Sequence, residues 1–481
     1  MYDIGMIGLA VMGENLVLNM ESKGFGVCGF DIDQNRMDTF SKTRALGKNI
    51  GFATSLKDLV AQLQKPRKVM MMIRAGSPVD QVIAQLLPLL EKGDIIIDGG
   101  NSQYEDTIRR NKLVEEHGFL YIGAGVSGGE EGALKGPSIM PGGSTEAWKY
   151  VKPIFQAIAA RTDSNDICCE WVGPNGAGHY VKMVHNGIEY ADIQLITEVY
   201  HFMREILQMS PDEMSAVFAD WNKGELDSYL IEITSEILKA KDTDGSPLIN
   251  NILDTAGQKG TGKWTAVSSL NQGIPLSLIT EAVYARTLSA QKSERQVAST
   301  IYNRQIKTYQ GNKLEILDQL KEALFVAKII AYAQGFVLLQ EASKTYKWDL
   351  NYGDIALLWR GGCIIRSAFL DEIKTAFVRN PALPNLILDT YFKNALDTKI
   401  ESYREILALS ILCGLPTPSL SAGLHYFDGY TTENLPANLL QAMRDYFGAH
   451  TYERTDKPRG EFFHTNWTGA GGSTSSTTYN V

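Results

Sequence analysis

Tyr2-Asp3-Ile4-Gly5-Met6-Ile7-Gly8-Leu9-Ala10-Val11-Met12-Gly13 decides the fold. Residues 2–7 form a short apolar strand, and Gly8 permits the tight turn that follows it. Gly13 lets the next helix pack closely on that strand, and the amides at the helix start then suit a pyrophosphate. Ala10 stands where the commonest form of this fingerprint has glycine, so the approach over Leu9, Ala10, Val11 and Met12 is slightly less open. A lone G-x-A-x-x-G matches many ordinary turns. Between a strand and a helix, with a second strand following, it reads as a dinucleotide-binding loop.

The second strand ends at Phe30-Asp31-Ile32-Asp33, and Asp31 follows Gly8 by 23 positions. A carboxylate at that offset accepts hydrogen bonds from the adenine-ribose hydroxyls and repels a 2′-phosphate. No Arg or Lys precedes Arg36 in this turn, so these residues favour NAD over NADP. Capping of the next helix is the other use for the two carboxylates; we assign it to Asp33 and the ribose to Asp31.

Further out, apolar segments at 27–30, 68–73, 94–98 and 119–122 alternate with helical periodicity, as at 78–91, where Pro78 suits a first turn. Residues 138–141 and 167–171 extend the series. The alternation predicts an α/β, Rossmann-like domain over residues 1–176, with a mostly parallel sheet and right-handed crossovers. Ligands of such sheets bind beyond the carboxyl ends of the strands. Three turns fall there: one with Ile73, Arg74 and Ala75, one with Asn101, and one with Ser127, Gly128 and Gly129. The last is a glycine-rich turn whose amides and hydroxyl could cradle a carboxylate, although a plain tight turn looks the same in sequence.

After Gly173-Pro174-Asn175-Gly176 the texture changes. Residues 177–443 show long helical patterns rich in Glu, Lys, Leu, Ala and Ile, which predict a large all-α domain entered through one long helix. Residues 444–481 form a tail, and 469–478 is nearly low-complexity; composition alone makes it frayed.

The length of 481 residues calls for two or three domains. A net charge of -9 speaks against non-specific nucleic-acid binding but leaves room for a local basic site for an anionic metabolite. We find no apolar run long enough to cross a bilayer and no basic-then-apolar leader, and so expect a cytoplasmic protein. The five cysteines have no zinc, redox or disulfide spacing and read as small buried hydrophobes. The histidines form no metal motif, so metal-free chemistry is expected.

Residues 176–190 are the most informative stretch. On a helix, Lys182, His185, Asn186 and Glu189 fall within an arc of about 100°, with Tyr190 at its edge. Val181, Met183, Val184 and Ile188 cover much of the remainder, so the stripe reads as buried and facing a cofactor rather than solvated. A buried lysine can act as a base near neutral pH, and a glutamate in the same pocket as the complementary acid. That pairing suits hydride transfer from a hydroxyl carbon, loss of carbon dioxide from the β-keto acid, and protonation of the enediol.

At these residues the chain resembles the 6-phosphogluconate dehydrogenase family, a likeness carried by 8–13, 95–101, 125–142, 176–190, 257–264, 358–367 and 444–452. The resemblance implies oxidative decarboxylation of 6-phosphogluconate in the pentose phosphate pathway, with Lys182 as general base and Glu189 as general acid. It implies that Ser127, Gly128 and Gly129 hold the substrate carboxylate, and that Asn101, His185 and Asn186 position its hydroxyls. Tyr190, Lys259, Thr261 and Arg286 would bind the phosphate, joined by Arg444 and His450 of the partner subunit in a homodimer whose C-terminal segments are exchanged. Taken alone, Lys259 is a basic turn and Arg444 a surface arginine. Family members that use NADP carry Asn-Arg-Thr or similar after the second strand, where this chain has Asp31-Ile32-Asp33. The cofactor is therefore NAD by these residues and NADP by family habit, with Arg74 the nearby cation that could compensate. Two other readings stay open: a dehydrogenase of short unphosphorylated 3-hydroxy acids, and a nucleotide-sensing protein without turnover.

Overall fold

The computed structural model describes residues 1–471 and 475–476. Strands β1 (Ile4–Ile7), β2 (Val27–Phe30), β3 (Ile50–Phe52), β4 (Lys68–Met71), β5 (Ile95–Asp98), β6 (Leu120–Ser127), β7 (Ser138–Gly143) and β8 (Gly173–Pro174) form one sheet. Among the described residues its order is β3-β2-β1-β4-β5-β6-β7-β8. Neighbours from β3 to β6 are parallel, β7 runs antiparallel to β6, and β8 is parallel to β7. The β1, β4 and β5 side chains are buried on both faces, as parallel strands between helices must be. Helices Val11–Ser22 and Thr145–Ile158 cover one face through Leu16, Met20, Val151 and Ile154. Ser77–Leu86 and Tyr104–Glu116 cover the other through Val79, Ile83 and Val114.

Several boundaries differ from expectation. The strand expected at 167–171 is absent: that segment makes two isolated bridges, from Cys169 to Ile139 and from Ile167 to Arg161, and continuous pairing resumes only at β8. Its amides and carbonyls are taken up one at a time, with Cys168 N bonded to Ala160 O and Ile139 N to Cys168 O. Edge strand β3 was not anticipated, because three residues around Gly51 are too short to show a period. Strand β6 runs five residues past the expected end, to Ser127, through Gly123, Ala124 and Gly125, which carry no alternation signal.

The chain divides into two compact units, Met1–Gly423 and Leu424–Val481. Within the first, everything after β8 that is regular is helical, from Ala177–Glu205 onward. Helix Lys313–Tyr346 corrects the reading that no segment could span a bilayer: its mean hydropathy reaches 1.6 over 18 residues. That window is 89% buried inside the protein, so its apolarity is that of a central core helix. Lys328, at its middle, donates to both oxygens of Asp192 on Ala177–Glu205, at 2.7 and 2.8 Å, and both side chains are essentially inaccessible.

In the second unit, helix Ala437–Gly448 runs across the expected boundary at residues 443 and 444. The tail beyond it is organised around buried Asp445, which accepts from Thr451 N, His464 Nδ1, Thr465 N and Trp467 Nε1. Burial opposes the Asp445 charge, but these donors outweigh it and hold the carboxyl below the usual range. A composition that reads as frayed is thus tied down by one carboxylate as far as Trp467. The remainder of the low-complexity stretch, 472–474 and 477–478, lies outside the described residues, as do 479–481.

The Lys328–Asp192 pair yields a direct test. Lys328→Met leaves an unpaired buried carboxylate and is expected to lower stability in urea unfolding by about 3–5 kcal/mol, whereas Lys328→Met with Asp192→Leu recovers most of the loss.

Candidate active site

The loop after β1 is shaped by what cannot fit there. A Cβ on Gly8, whose φ is +94°, would lie 2.5 Å from Met72 O, and one on Gly13 would lie 1.9 Å from Gly8 O. Helix Val11–Ser22 starts at exposed Ala10 with no side-chain cap, so its first amides are available to an anion. Ile73 packs against Gly8 from the next turn, while Arg74 beside it is exposed. These features fit a dinucleotide.

Asp31 is turned inward. Its Oδ2 accepts from Leu9 N at 2.7 Å and Arg36 Nη1 at 3.1 Å, and its Oδ1 accepts from Asp33 N at 2.9 Å. Burial works against the charge, but the two amides and the guanidinium outweigh it and hold the carboxyl below its usual range. The carboxylate that was expected to serve a ribose therefore first anchors the fingerprint turn to the end of β2. Asp33 caps helix Gln34–Lys42, accepting from Asn35 N and Arg36 N. Ile32 between them is 94% exposed.

Helix Ala177–Glu205 lies directly on the sheet. A Cβ on Gly178 would be 2.3 Å from Gly123 O, and one on Gly125 would be 2.3 Å from Lys182 Cβ. This approach buries Lys182, His185 and Asn186 and leaves Glu189 partly exposed. Burial pushes the Lys182 ammonium down, and the Glu189 charge only partly offsets it. Burial pushes Glu189 up, against the pull of Lys182 and Arg286. His185 is held neutral by burial and by the neighbouring Lys182. Its Nδ1 lies 3.3 Å from Lys182 Nζ and 3.0 Å from Asn186 Oδ1. Its Nε2 lies 3.0 Å from Ser127 Oγ at the end of β6.

Ser127 is buried, and Gly128 follows with φ +112° and no room for a side chain, since its Cβ would be 2.6 Å from Gly362 O. Asn101 is exposed after β5, in a turn that Asp98 holds through Gly100 N and Ser102 Oγ. Helix Thr261–Asn271 seats on helix Ala177–Glu205 where Thr265 Oγ1 donates to Met183 O at 2.8 Å. Thr261 accepts from Asn186 Nδ2 at 3.0 Å. Arg286 stacks over the Tyr190 ring at 3.6 Å. Lys259 is exposed in the turn before Gly260. One cluster thus joins Ser127, Lys182, His185, Asn186, Glu189, Tyr190, Thr261 and Arg286. Arg444 and His450 belong to the second unit, where Gln441 accepts from Arg444 and donates to the carbonyl of His450.

Cys363 is a buried free thiol, as the sequence reading has it, but its contact was not foreseen. Its Sγ lies 2.8 Å from His185 Nε2. The signal was the Gly361-Gly362 pair just before it, a mark of close backbone approach.

Comparison with known proteins agrees with this arrangement. Residues 3–173 match the family model for the NAD binding domain of 6-phosphogluconate dehydrogenase, and residues 178–467 match that for its C-terminal domain. The decarboxylating 6-phosphogluconate dehydrogenase of Haemophilus influenzae is 59% identical over 479 residues, covering 100% of this chain and 99% of the relative. The human enzyme of the same name is 55% identical over 480 residues, with the same coverage. Plasmodium falciparum 6-phosphogluconate dehydrogenase, a structure described as apo, with its cofactor NADP+ and with its substrate 6-phosphogluconate, superimposes with a TM-score of 0.92. That match has 44% identity and spans 97% of this chain and 100% of the other. This chain is a member of the 6-phosphogluconate dehydrogenase family.

Proposed function

We propose that this protein oxidatively decarboxylates 6-phospho-D-gluconate to D-ribulose 5-phosphate and carbon dioxide, with reduction of a nicotinamide dinucleotide. The observation that carries the reading is the Lys182–Glu189 pair, whose proton affinities burial drives in opposite directions on one helix. Gly8, Leu9, Ala10, Val11, Met12 and Gly13 would hold the pyrophosphate, with Ile73, Arg74, Ala75 and Asn101 completing the cofactor site. The bound cofactor supplies the hydride acceptor. Lys182 as neutral amine takes the proton from the substrate hydroxyl, and the β-keto acid left by oxidation loses carbon dioxide. Glu189 then protonates the enediol carbon. Ser127, Gly128 and Gly129 hold the carboxylate, and Asn101, His185 and Asn186 orient the hydroxyls. Tyr190, Lys259, Thr261 and Arg286 take the phosphate, as basic groups converging on a dianion do.

The phosphate site is completed, in our reading, by Arg444 and His450 of a second copy of the chain, which makes the protein a homodimer with exchanged C-terminal segments. We also place it in the cytoplasm, whose reducing conditions suit five buried free thiols.

The acid–base assignment predicts opposite pH limbs. Lys182 must be unprotonated and Glu189 protonated, so kcat/KM falls as pH drops through the lysine and again as it rises through the glutamate. Lys182→Met should lower kcat by about 100- to 10,000-fold, and Glu189→Gln should abolish the alkaline limb; a retained limb assigns the acid elsewhere.

Arg286→Ala should raise KM for 6-phosphogluconate at least about tenfold and leave KM for the dinucleotide unchanged. Lys182→Met and Arg444→Ala chains, each inactive alone, should recover about a quarter of wild-type activity when refolded together, because each mixed dimer has one intact site. No recovery would place Arg444 in its own chain's site.

Cofactor choice turns on Ile32, exposed where NADP-using relatives of this family present arginine. NAD should give the higher kcat/KM, and Ile32→Arg should raise the NADP value about tenfold or more while changing NAD little. A wild-type preference for NADP would overturn the assignment and point to Arg74.

A further inference from the structure

The imidazole of His185 has more neighbours than a neutral ring can serve at random. Asn186 gives its amide hydrogen to Thr261 Oγ1, which turns its carbonyl to His185 Nδ1 at 3.0 Å. Glu189 faces the same nitrogen from 3.8 Å, beyond hydrogen-bond range. The Asn186 carbonyl, an acceptor fixed by Thr261, requires the proton on Nδ1, so Nε2 must accept. Two protein donors reach Nε2, the Ser127 hydroxyl at 3.0 Å and the Cys363 thiol at 2.8 Å. Burial pushes the Cys363 thiol up to about 12, so the sulfur carries its hydrogen.

The cysteine is held rigidly. Ser138 N donates to Gly362 O at 2.8 Å and Ser138 Oγ to Leu358 O at 2.6 Å, which fixes the loop to β7. On the other side Tyr332 OH donates to Ile365 O at 2.7 Å. Trp359 of the same loop packs edge-on against the His185 ring.

Resting on the function proposed above, we infer that Cys363 is a positioning residue whose thiol donates to His185 Nε2, so that the Ser127 hydroxyl is free to turn to the substrate carboxylate. Without that thiol, Ser127 must choose between ring and substrate, or the ring must flip its proton to Nε2. The flip exposes a lone pair on Nδ1 to Lys182 Nζ, 3.3 Å away, and that lone pair stabilises the ammonium over the amine. The base would then be protonated at higher pH. The ionisable groups facing this ring and thiol are Lys182 and Glu189 on the catalytic helix and Tyr332 on Lys313–Tyr346; Asp192 and Arg286 lie one layer out, charged neighbours of Tyr332 and Glu189 respectively.

The test is a pH series of kcat and KM on the full-length enzyme with three substitutions. Cys363→Ala and Cys363→Val both remove the donor, and valine keeps the space filled should alanine impair folding. Each is expected to raise KM for 6-phosphogluconate about tenfold and to move the acidic limb of kcat/KM up by about one pH unit, the effect of losing one hydrogen bond. Cys363→Ser, which keeps a donor, is expected to restore both to near wild type. Wild-type KM and limb in the alanine and valine enzymes overturn the inference, as does a serine enzyme impaired as much as alanine, since a packing role alone predicts either. A wild-type enzyme that does not turn over 6-phosphogluconate overturns the function itself, and is told apart by needing no variant.

Discussion

Helix Ala177–Glu205 takes its place in the structure only because nothing stands between it and the sheet. Gly178 meets the carbonyls of Gly123 and Met140, and Gly125 lies under the first carbons of Lys182, at separations where a single methyl would collide. Backbone-to-backbone seating has two consequences. It sets Lys182 and His185 at the carboxyl edge of β6, beside Ser127, and it removes water from both. Dehydration then tunes the site, since it is the largest influence on Lys182, His185 and Glu189 alike.

The same helix shows two ways of placing lysine and carboxylate out of water. Asp192 is met by Lys328 at 2.7 Å, in a closed pair that ties two core helices. Lys182 and Glu189 are two turns apart on the helix, and the His185 ring stands next to both, its Nδ1 3.3 Å from the Lys182 ammonium nitrogen and 3.8 Å from a Glu189 oxygen. The first pair is locked for structure. The second is not closed into a direct ion pair, and burial opposes the charge of each partner. Neighbours from other elements finish the pocket: Thr261 under Asn186, Arg286 over Tyr190, and Cys363 against His185.

At the nucleotide end the economy is different. Asp31 holds Leu9 N and Asp33 N, so the glycine turn after β1 and the turn after β2 are braced by one carboxylate. A residue type usually discussed for cofactor choice is here a structural tie as well. Ile32 projects outward between the two carboxylates, and Arg74 on the turn after β4 is exposed as well.

What the sequence determined by itself is what short-range periodicity and turn chemistry encode. The glycine fingerprint with its flanking strand, the alternation that makes a parallel sheet, the Asp33 cap and the polar stripe of Lys182, His185, Asn186 and Glu189 are all set within a few residues. The phosphate roles expected of Lys259, Thr261, Arg286, Arg444 and His450 came only through family likeness, because no local pattern distinguishes these residues from surface ones. Tertiary structure alone decided the rest. Whether Lys313–Tyr346 is a membrane span or a core helix depends on what surrounds it, and 89% burial answers that. The direction of the Asp31 carboxylate depends on the amide of Leu9, 22 positions earlier. The meeting of Cys363 with His185 spans 178 positions, a contact that no periodicity records and that exists only once the glycine loop has been laid against β7.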